Sequence, residues 1–258
     1  AASLENLGGP FEIILVDDGS ADGTRHVLKD LSEQYPQVHT STFVRRKGRG
    51  SALNHGISLS RGKYVITMDA DLSYDVDHIT QILSTFANQP QTDLVIVSAY
   101  MKGGVIKGVP LSRLFVSRVA NKILSGSFPG NLSTVTCVVR GYRGSTIREI
   151  PFFENDKEMH LEVLRKIAVC HGRICEIPGR LIWKEKKRRA SGKSRSMFIG
   201  SSIRHLLYGL LSNPTRIFKY MVVGSILFGL FSMVIIAQAI VQNIPMESVG
   251  LSADWETI

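Results

Sequence analysis

The chain has 258 residues, a formal net charge of +9, and enough apolar sequence for a sizeable core. That length accommodates one α/β domain with appendages. Its three cysteines, Cys137, Cys170 and Cys175, form no C-x-x-C pair, which excludes a disulfide framework and a zinc site of the usual spacing. The positive balance points to an anionic partner: nucleic acid, a phosphorylated substrate or an anionic membrane surface.

The opening "AASLENLGG" lacks an initiator Met and reads as the tail of a helix and a turn, so the domain is expected to be incomplete on its N-terminal side. "FEIILV" (11–16) is a continuous apolar run, as in a strand buried on both faces, and it ends in Asp17-Asp18-Gly19-Ser20. Ser20 can cap a helix carrying Val27, Leu28 and Leu31. "VHTSTFV" (38–44) is strand-like, and "GRGSALNHGISLS" (48–60) opens on glycines and becomes a short helix. "KYVITM" (63–68) is the next strand, followed by a helix capped by Asp75 and the buried strand "DLVIVSA" (93–99). This alternation predicts an open, mostly parallel sheet with helices on its faces. The second half predicts a helix over 111–125, a strand around 134–140, a helix over 157–170 and the strand "RICEIP" (173–178).

Composition then changes. "KEKKRRASGKSR" (184–195) is a basic loop. Ile199, Ile203, Leu206, Leu207 and Leu210 fall on one helical face, as in a helix lying on a membrane. From Tyr220 to Val241 there is no charge, over a length that suits a ~30 Å hydrocarbon core. Lys and Arg crowd its N-terminal side, which by the positive-inside rule puts residues 1–216 in the cytoplasm. The expected division is a catalytic domain over 1–183, a basic loop and juxtamembrane helix over 184–216, a transmembrane helix over 217–242 and a tail over 243–258.

In a strand, residues i and i+2 point the same way. Asp69 and Asp71, in "MDADLS", can therefore aim two carboxylates at one spot on the sheet edge where α/β proteins bind ligands. Two convergent carboxylates repel unless a cation lies between them, and Mg²⁺ or Mn²⁺ would suit. The competing reading is a helix-capping Asp beside a solvated one. Asp17 and Asp18 could accept hydrogen bonds from a nucleobase or ribose, or serve only as a turn and cap. "RRKGRGSAL" (45–53) sets cations and glycines before a helix N-terminus, a place for phosphate or a base edge, or simply a solvated loop. In "ENDKEMHLE" (154–162), Asp156 or Glu158 could serve as a base, though a charged helix start explains the run as well.

Together, "VDDGSADGT", "RKGRGSALNHGI" and "GKYVITMDADLS" at this spacing resemble a family 2 glycosyltransferase of the GT-A fold, within it the dolichol-phosphate mannose synthases and related polyprenyl-phosphate glycosyltransferases. "SRLFVSRVANKIL" resembles their R-x-x-x-S-x-x-x-N helix, placing Arg113, Ser117 and Asn121. "TCVVRGY" resembles a further element, placing Thr136, Arg140 and Tyr142, and "SGKSR" resembles their G-x-S-K loop. The resemblance implies inverting transfer of mannose or another hexose from a nucleotide-diphosphate sugar to a polyprenyl or dolichyl phosphate. It implies that Asp69 and Asp71 hold the metal on the donor diphosphate, and that Asp17, Asp18, Arg45, Lys47 and Gly48 contact the nucleotide sugar. Arg113, Ser117, Arg140, Ser194 and Arg195 would bind the acceptor or diphosphate, with Asp71, Arg140, Arg189 and Lys193 acting in catalysis. The family's first strand, which lies inside the sheet, is absent from this sequence, so an unpaired strand edge is expected. Two alternatives stand beside this reading: a polysaccharide-type enzyme with a hydroxyl acceptor, and a catalytically silent nucleotide-binding relative. Nucleic acid is not expected as a partner, because the basic cluster adjoins an apolar span and lacks interleaved aromatics. Self-association through membrane helices is open.

Overall fold

The computed structural model describes residues 9–126, 128, 130, 132–183 and 214–243. The chain forms two compact units, Ala1–Gly209 and Leu210–Ile258.

In the first unit the elements run β1 (Ile13–Asp17), α1 (Thr24–Gln34), β2 (Val38–Thr42), α2 (Arg49–Leu59), β3 (Tyr64–Thr67), α3 (Asp77–Asn88) and β4 (Thr92–Ser98). They continue with β5 (Val105–Lys107), α4 (Leu111–Ser125), β6 (Arg140–Arg143), α5 (Gly144–Glu149), α6 (Met159–Val169), β7 (Arg173–Pro178) and β8 (Arg180–Ile182). The central strand is β4. Leu94, Val95, Ile96 and Val97 are all fully buried, because neighbours cover both of its faces and both of its edges. Ile82 and Phe86 of α3 pack over it, and Leu161, Leu164 and Ile167 of α6 join the same core.

The four-stranded sheet is mixed, while β1–β2, β4–β7 and β5–β8 pair in parallel, in keeping with the expected α/β architecture. Strand order is β3-β6-β4-β7, and β6 runs antiparallel to both β3 and β4, while β4 and β7 are parallel. The expected strand at 134–140 shifts to Arg140–Arg143. Residues 134–136 instead form a bent segment whose polar groups bond to Asn121. Gly141 in β6 is required by packing: a Cβ there would run into Ile82 and Phe86 of α3.

β1 and β2 pair in parallel as a separate two-stranded sheet. Among the described residues β1 and β3 each have one hydrogen-bonded neighbour and do not pair with each other. Glu12 ties their starts together, its carboxylate accepting from Arg61 N–H and Gly62 N–H. The 46–49 segment lies between the far ends of the two strands, Arg46 pairing with Asp18 and Arg49 with Asp69. Helix α1 begins at Thr24, not just after Ser20. The Ser20 N–H is taken by Asp17 Oδ1, Asp22 accepts from Thr24 N–H, and Gly23 stands at the helix N-cap.

The second unit contains α7 (Pro214–Asn243). Its stretch Phe218–Gln238 is long and apolar enough to cross a membrane, at 21 residues and about 32 Å. The basic loop 184–195 and the amphipathic segment 199–210 lie outside the described residues.

Candidate active site

Asp17 ends β1 and is almost fully buried. Its Oδ1 accepts from Ser20 N–H at 3.1 Å, whereas Oδ2 is buried with no hydrogen-bond partner among the described residues. A buried carboxylate oxygen without a donor is costly.

Asp18 has a different task. Its Oδ1 accepts from Lys47 N–H at 2.7 Å, both oxygens accept from Gly48 N–H, and Arg46 approaches at 3.5 Å. The carboxylate thus latches the basic glycine segment onto the end of β1. Gly48 has φ +109°, and a Cβ there would run into the Asn155 carbonyl, so only glycine fits.

The start of α2 is not open to phosphate as its sequence suggests. Gly50 N–H and Ser51 N–H both donate to Asn155 O, and the Ser51 hydroxyl donates to Asn155 Oδ1 at 2.7 Å. Asn155 is in turn held from behind. Glu162 accepts from Phe153 N–H, Glu154 N–H and Lys166 Nζ. Burial works against its charge, yet Lys166 and the two amides outweigh it and hold the Glu162 carboxyl below the usual range.

Strand β3 stops at Thr67, so Asp69 and Asp71 lie on the turn beyond it and not in the strand. Alternation along a strand therefore does not orient them. The turn does: Leu72 N–H donates to Asp69 O, and Leu72 adopts φ +51°, a left-handed conformation rare for a bulky side chain. Asp71 Oδ1 accepts from Ser73 N–H and from the Ser73 hydroxyl at 2.7 Å. Arg49, at the start of α2, reaches Asp69 at 3.8 Å. One basic segment thus bridges the two acidic turns, held by Asp18 on one side and reaching Asp69 on the other.

Beyond Asp71 the chain is pinned by β8. Ile182 N–H donates to Ser73 O, and Arg180 N–H donates to His78 Nε2 at 3.0 Å. His78 must then carry its proton on Nδ1, which donates to Asp75 O. Tyr74 packs edge-on against His78, and burial pushes its hydroxyl far above the ordinary value.

The residues expected at the acceptor divide. Arg113 lies on α4 with its guanidinium 4.4 Å over the Trp183 ring. The Ser117 hydroxyl accepts from Tyr100 OH at 2.7 Å. Asn121 is buried, its Oδ1 accepting from Thr134 Oγ1, Val135 N–H and Thr136 Oγ1. Glu176 holds the preceding residues, accepting from Ser133 N–H and Thr134 N–H.

Arg140 requires correction. It is fully buried, and its guanidinium donates to Cys137 O at 2.8 Å, His160 O at 2.9 Å and Val135 O at 2.6 Å. Its donors are spent on the backbone behind the site, where they shape the 135–137 segment instead of meeting a phosphate. Glu158 is likewise buried at the start of α6. Arg189, Lys193, Ser194 and Arg195 lie outside the described residues. Sequence reasoning missed Asn155, His78 and Glu176, whose partners are distant in the chain, the Ser51–Asn155 bond spanning 104 residues, and it missed Glu162, whose partners lie close in sequence.

The donor set at Asp69 and Asp71 suits a hard divalent cation. Both are oxygen donors on one turn, and Asp69 is about two-fifths exposed. No cluster of three or more His, Cys, Asp and Glu side chains forms a ready-made cage among the described residues.

Residues 2–150 match the family described as glycosyl transferase family 2, and the chain belongs to that family. It is 26% identical over 220 residues to a dolichol-phosphate mannosyltransferase of Pyrococcus furiosus, covering 83% of this chain and 60% of that protein. It is 32% identical over 142 residues to a polyprenol monophosphomannose synthase of Mycolicibacterium smegmatis, covering 54% of this chain and 53% of that one. The chain thus spans little more than half the length of these relatives. The fold is shared with glucosyl-3-phosphoglycerate synthase from Mycobacterium tuberculosis, solved with Mn²⁺, UDP-glucose and glycerol 3-phosphate, at a TM-score of 0.54 and 16% identity. That likeness covers 78% of this chain and 68% of that structure, and the architecture is the GT-A one.

Proposed function

We propose that the protein transfers a hexose, such as mannose, from a nucleoside-diphosphate sugar to a polyprenyl or dolichyl phosphate at a membrane. The observation that carries this reading is the pair of acidic turns after β1 and β3, bridged by one basic segment through Asp18 and Arg49. The names of the relatives support the same donor and acceptor classes.

Asp17 Oδ2 is the acceptor for a donor N–H or O–H of the nucleoside. Arg45 and Lys47, on the latched segment, balance phosphate charge. Asp69 and Asp71 would hold Mg²⁺ or Mn²⁺, which neutralises charge on the leaving diphosphate when bound. A phosphate acceptor is already an anion near neutral pH, its second pKa being about 6, so transfer to it needs no general base. Attack on the face opposite the leaving group inverts the anomeric centre. Helix α7 anchors the enzyme, with the first unit on the cytoplasmic side, where the basic loop 184–195 and its Arg189, Lys193, Ser194 and Arg195 contact acceptor phosphate or anionic lipid.

Membranes bearing the full-length protein, incubated with labelled nucleotide sugars, test this. Label should enter the organic-extractable lipid, require divalent metal, and disappear with Asp71→Asn. Undiminished transfer by that variant refutes the metal assignment, and label retained in polymer instead of lipid refutes the acceptor.

A further inference from the structure

Arg49 opens α2, and its backbone is fixed on both sides. Before it, Gly48 N–H donates to both oxygens of Asp18; after it, Gly50 N–H and Ser51 N–H donate to Asn155 O. A Cβ at Gly48 or Gly50 would run into the backbone of residues 154–156, so the helix start is packed too tightly to slide. What can move is the Arg49 side chain. Its Nη2 lies 3.8 Å from Asp69 Oδ1, with the two side chains 46% and 41% exposed. A pair of that length and exposure is weak and readily exchanged.

Other cations of the segment are placed differently. Arg46 approaches Asp18, a carboxylate already held by the amides of Lys47 and Gly48, and Lys47 lies 4.6 Å over the Phe43 ring. Arg49 pairs instead with a candidate metal ligand. A divalent ion bound to Asp69 would stand close to the guanidinium, and like charges at short range repel. The ion and Arg49 are therefore alternative partners of one carboxylate. A diphosphate resolves the conflict. It brings negative charge, and the planar guanidinium fork matches phosphate oxygens two at a time. A long side chain on a fixed base can exchange one anion for the other without a shift of the fold.

We propose that Arg49 exchanges Asp69 for the donor diphosphate as metal and donor bind, and so couples the two. By competing for Asp69 it weakens uptake of the ion alone; by meeting the diphosphate it removes that competition. Nucleotide sugar and metal therefore enter cooperatively, and a divalent ion without donor is held poorly. The inference rests on the metal and donor reading given above and adds to it the residue that links them.

The test uses the full-length protein in detergent. Bound Mn²⁺ is measured from the loss of the free-ion electron paramagnetic resonance signal, first alone and then with GDP or UDP. Arg49→Gln should bind Mn²⁺ alone about threefold more tightly than wild type, the scale of one exposed charge pair. The factor by which nucleotide tightens Mn²⁺ should shrink by about the same amount, because the competition that nucleotide relieves is gone. Arg49→Lys keeps the charge and loses the fork. It should bind Mn²⁺ alone as wild type does, while its GDP or UDP affinity in the presence of Mn²⁺ drops about fivefold. Unchanged Mn²⁺ affinity and coupling in Arg49→Gln overturn the inference. So does weaker Mn²⁺ binding both with and without nucleotide, which means that Arg49 only orients Asp69, and so does unchanged nucleotide affinity in both variants. Asp71→Asn separates the two levels. If it binds Mn²⁺ as wild type does, or if wild type binds none with either nucleotide, the metal reading itself fails. If it abolishes binding while Arg49→Gln changes nothing, this inference alone fails.

Discussion

Replacing Arg140 by Met removes a buried cation that donates to the carbonyls of Cys137, His160 and Val135 at 2.6–2.9 Å. Hydrogen bonds from a charged donor contribute about 1.5–3 kcal/mol each, so the gross loss is roughly 5–9 kcal/mol. Several kcal/mol of guanidinium desolvation are relieved in the same step, which leaves a net cost of about 3 kcal/mol. For a domain of this size that lowers Tm by roughly 6–12 °C. Arg140→Lys should behave similarly, because one ammonium cannot span three carbonyls set for a fork. The assay is thermal unfolding of the detergent-purified protein, alongside nucleotide binding and transfer. Both variants should lose stability together with activity, and low temperature should restore part of the transfer. If Arg140→Lys keeps the wild-type Tm but loses transfer, the side chain meets substrate and does not serve to hold the three carbonyls.

Asp17→Asn replaces the unpartnered acceptor Oδ2 with a group that can be a donor. Nucleotide affinity measured by calorimetry should fall about tenfold, roughly 1.4 kcal/mol, with Tm unchanged or slightly raised. Gly48→Ala forces a Cβ into the Asn155 carbonyl at φ +109°. It should cost about 1–3 kcal/mol in chemical denaturation and loosen the 45–48 segment in hydrogen exchange; a variant as stable as wild type would show that the Asn155 contact is not rigid. Glu162 is held below its ordinary pKa by Lys166 and two amides against burial, so its contribution is present above the unfolded value and lost as pH falls through the folded one. The denaturation midpoint of Glu162→Gln should therefore be lower than wild type near neutrality and converge with it in acid; curves that stay parallel count against the assignment.

Features set by residues adjacent in the chain were legible. The run "DLVIVS" identifies β4 because a strand covered on both faces has no polar side to alternate. Helix α4 was predicted at its observed bounds, and the carboxylates of "MDADLS" were located at the sheet edge. The apolar stretch of α7 was visible because a run without charge declares itself by composition.

Other features depend on partners that only the fold brings together. The direction of β6 follows from its place between β3 and β4, and nothing in "RGYR" encodes it. Asp17 and Asp18 are neighbours of one chemical type, yet one has a buried oxygen without a hydrogen-bond partner among the described residues while the other is consumed by a loop about 30 residues away. The start of α2 looks like an anion site until Asn155 arrives to occupy its amides. Arg140 carries the charge expected of a phosphate ligand, and burial against three carbonyls redirects it. Sequence alone determined which chemical groups stand near the carboxyl ends of the strands, because local pattern and spacing set that. Tertiary structure decided which of those groups remain available to a substrate, because a hydrogen-bonding group already satisfied by the backbone has little left to give a ligand.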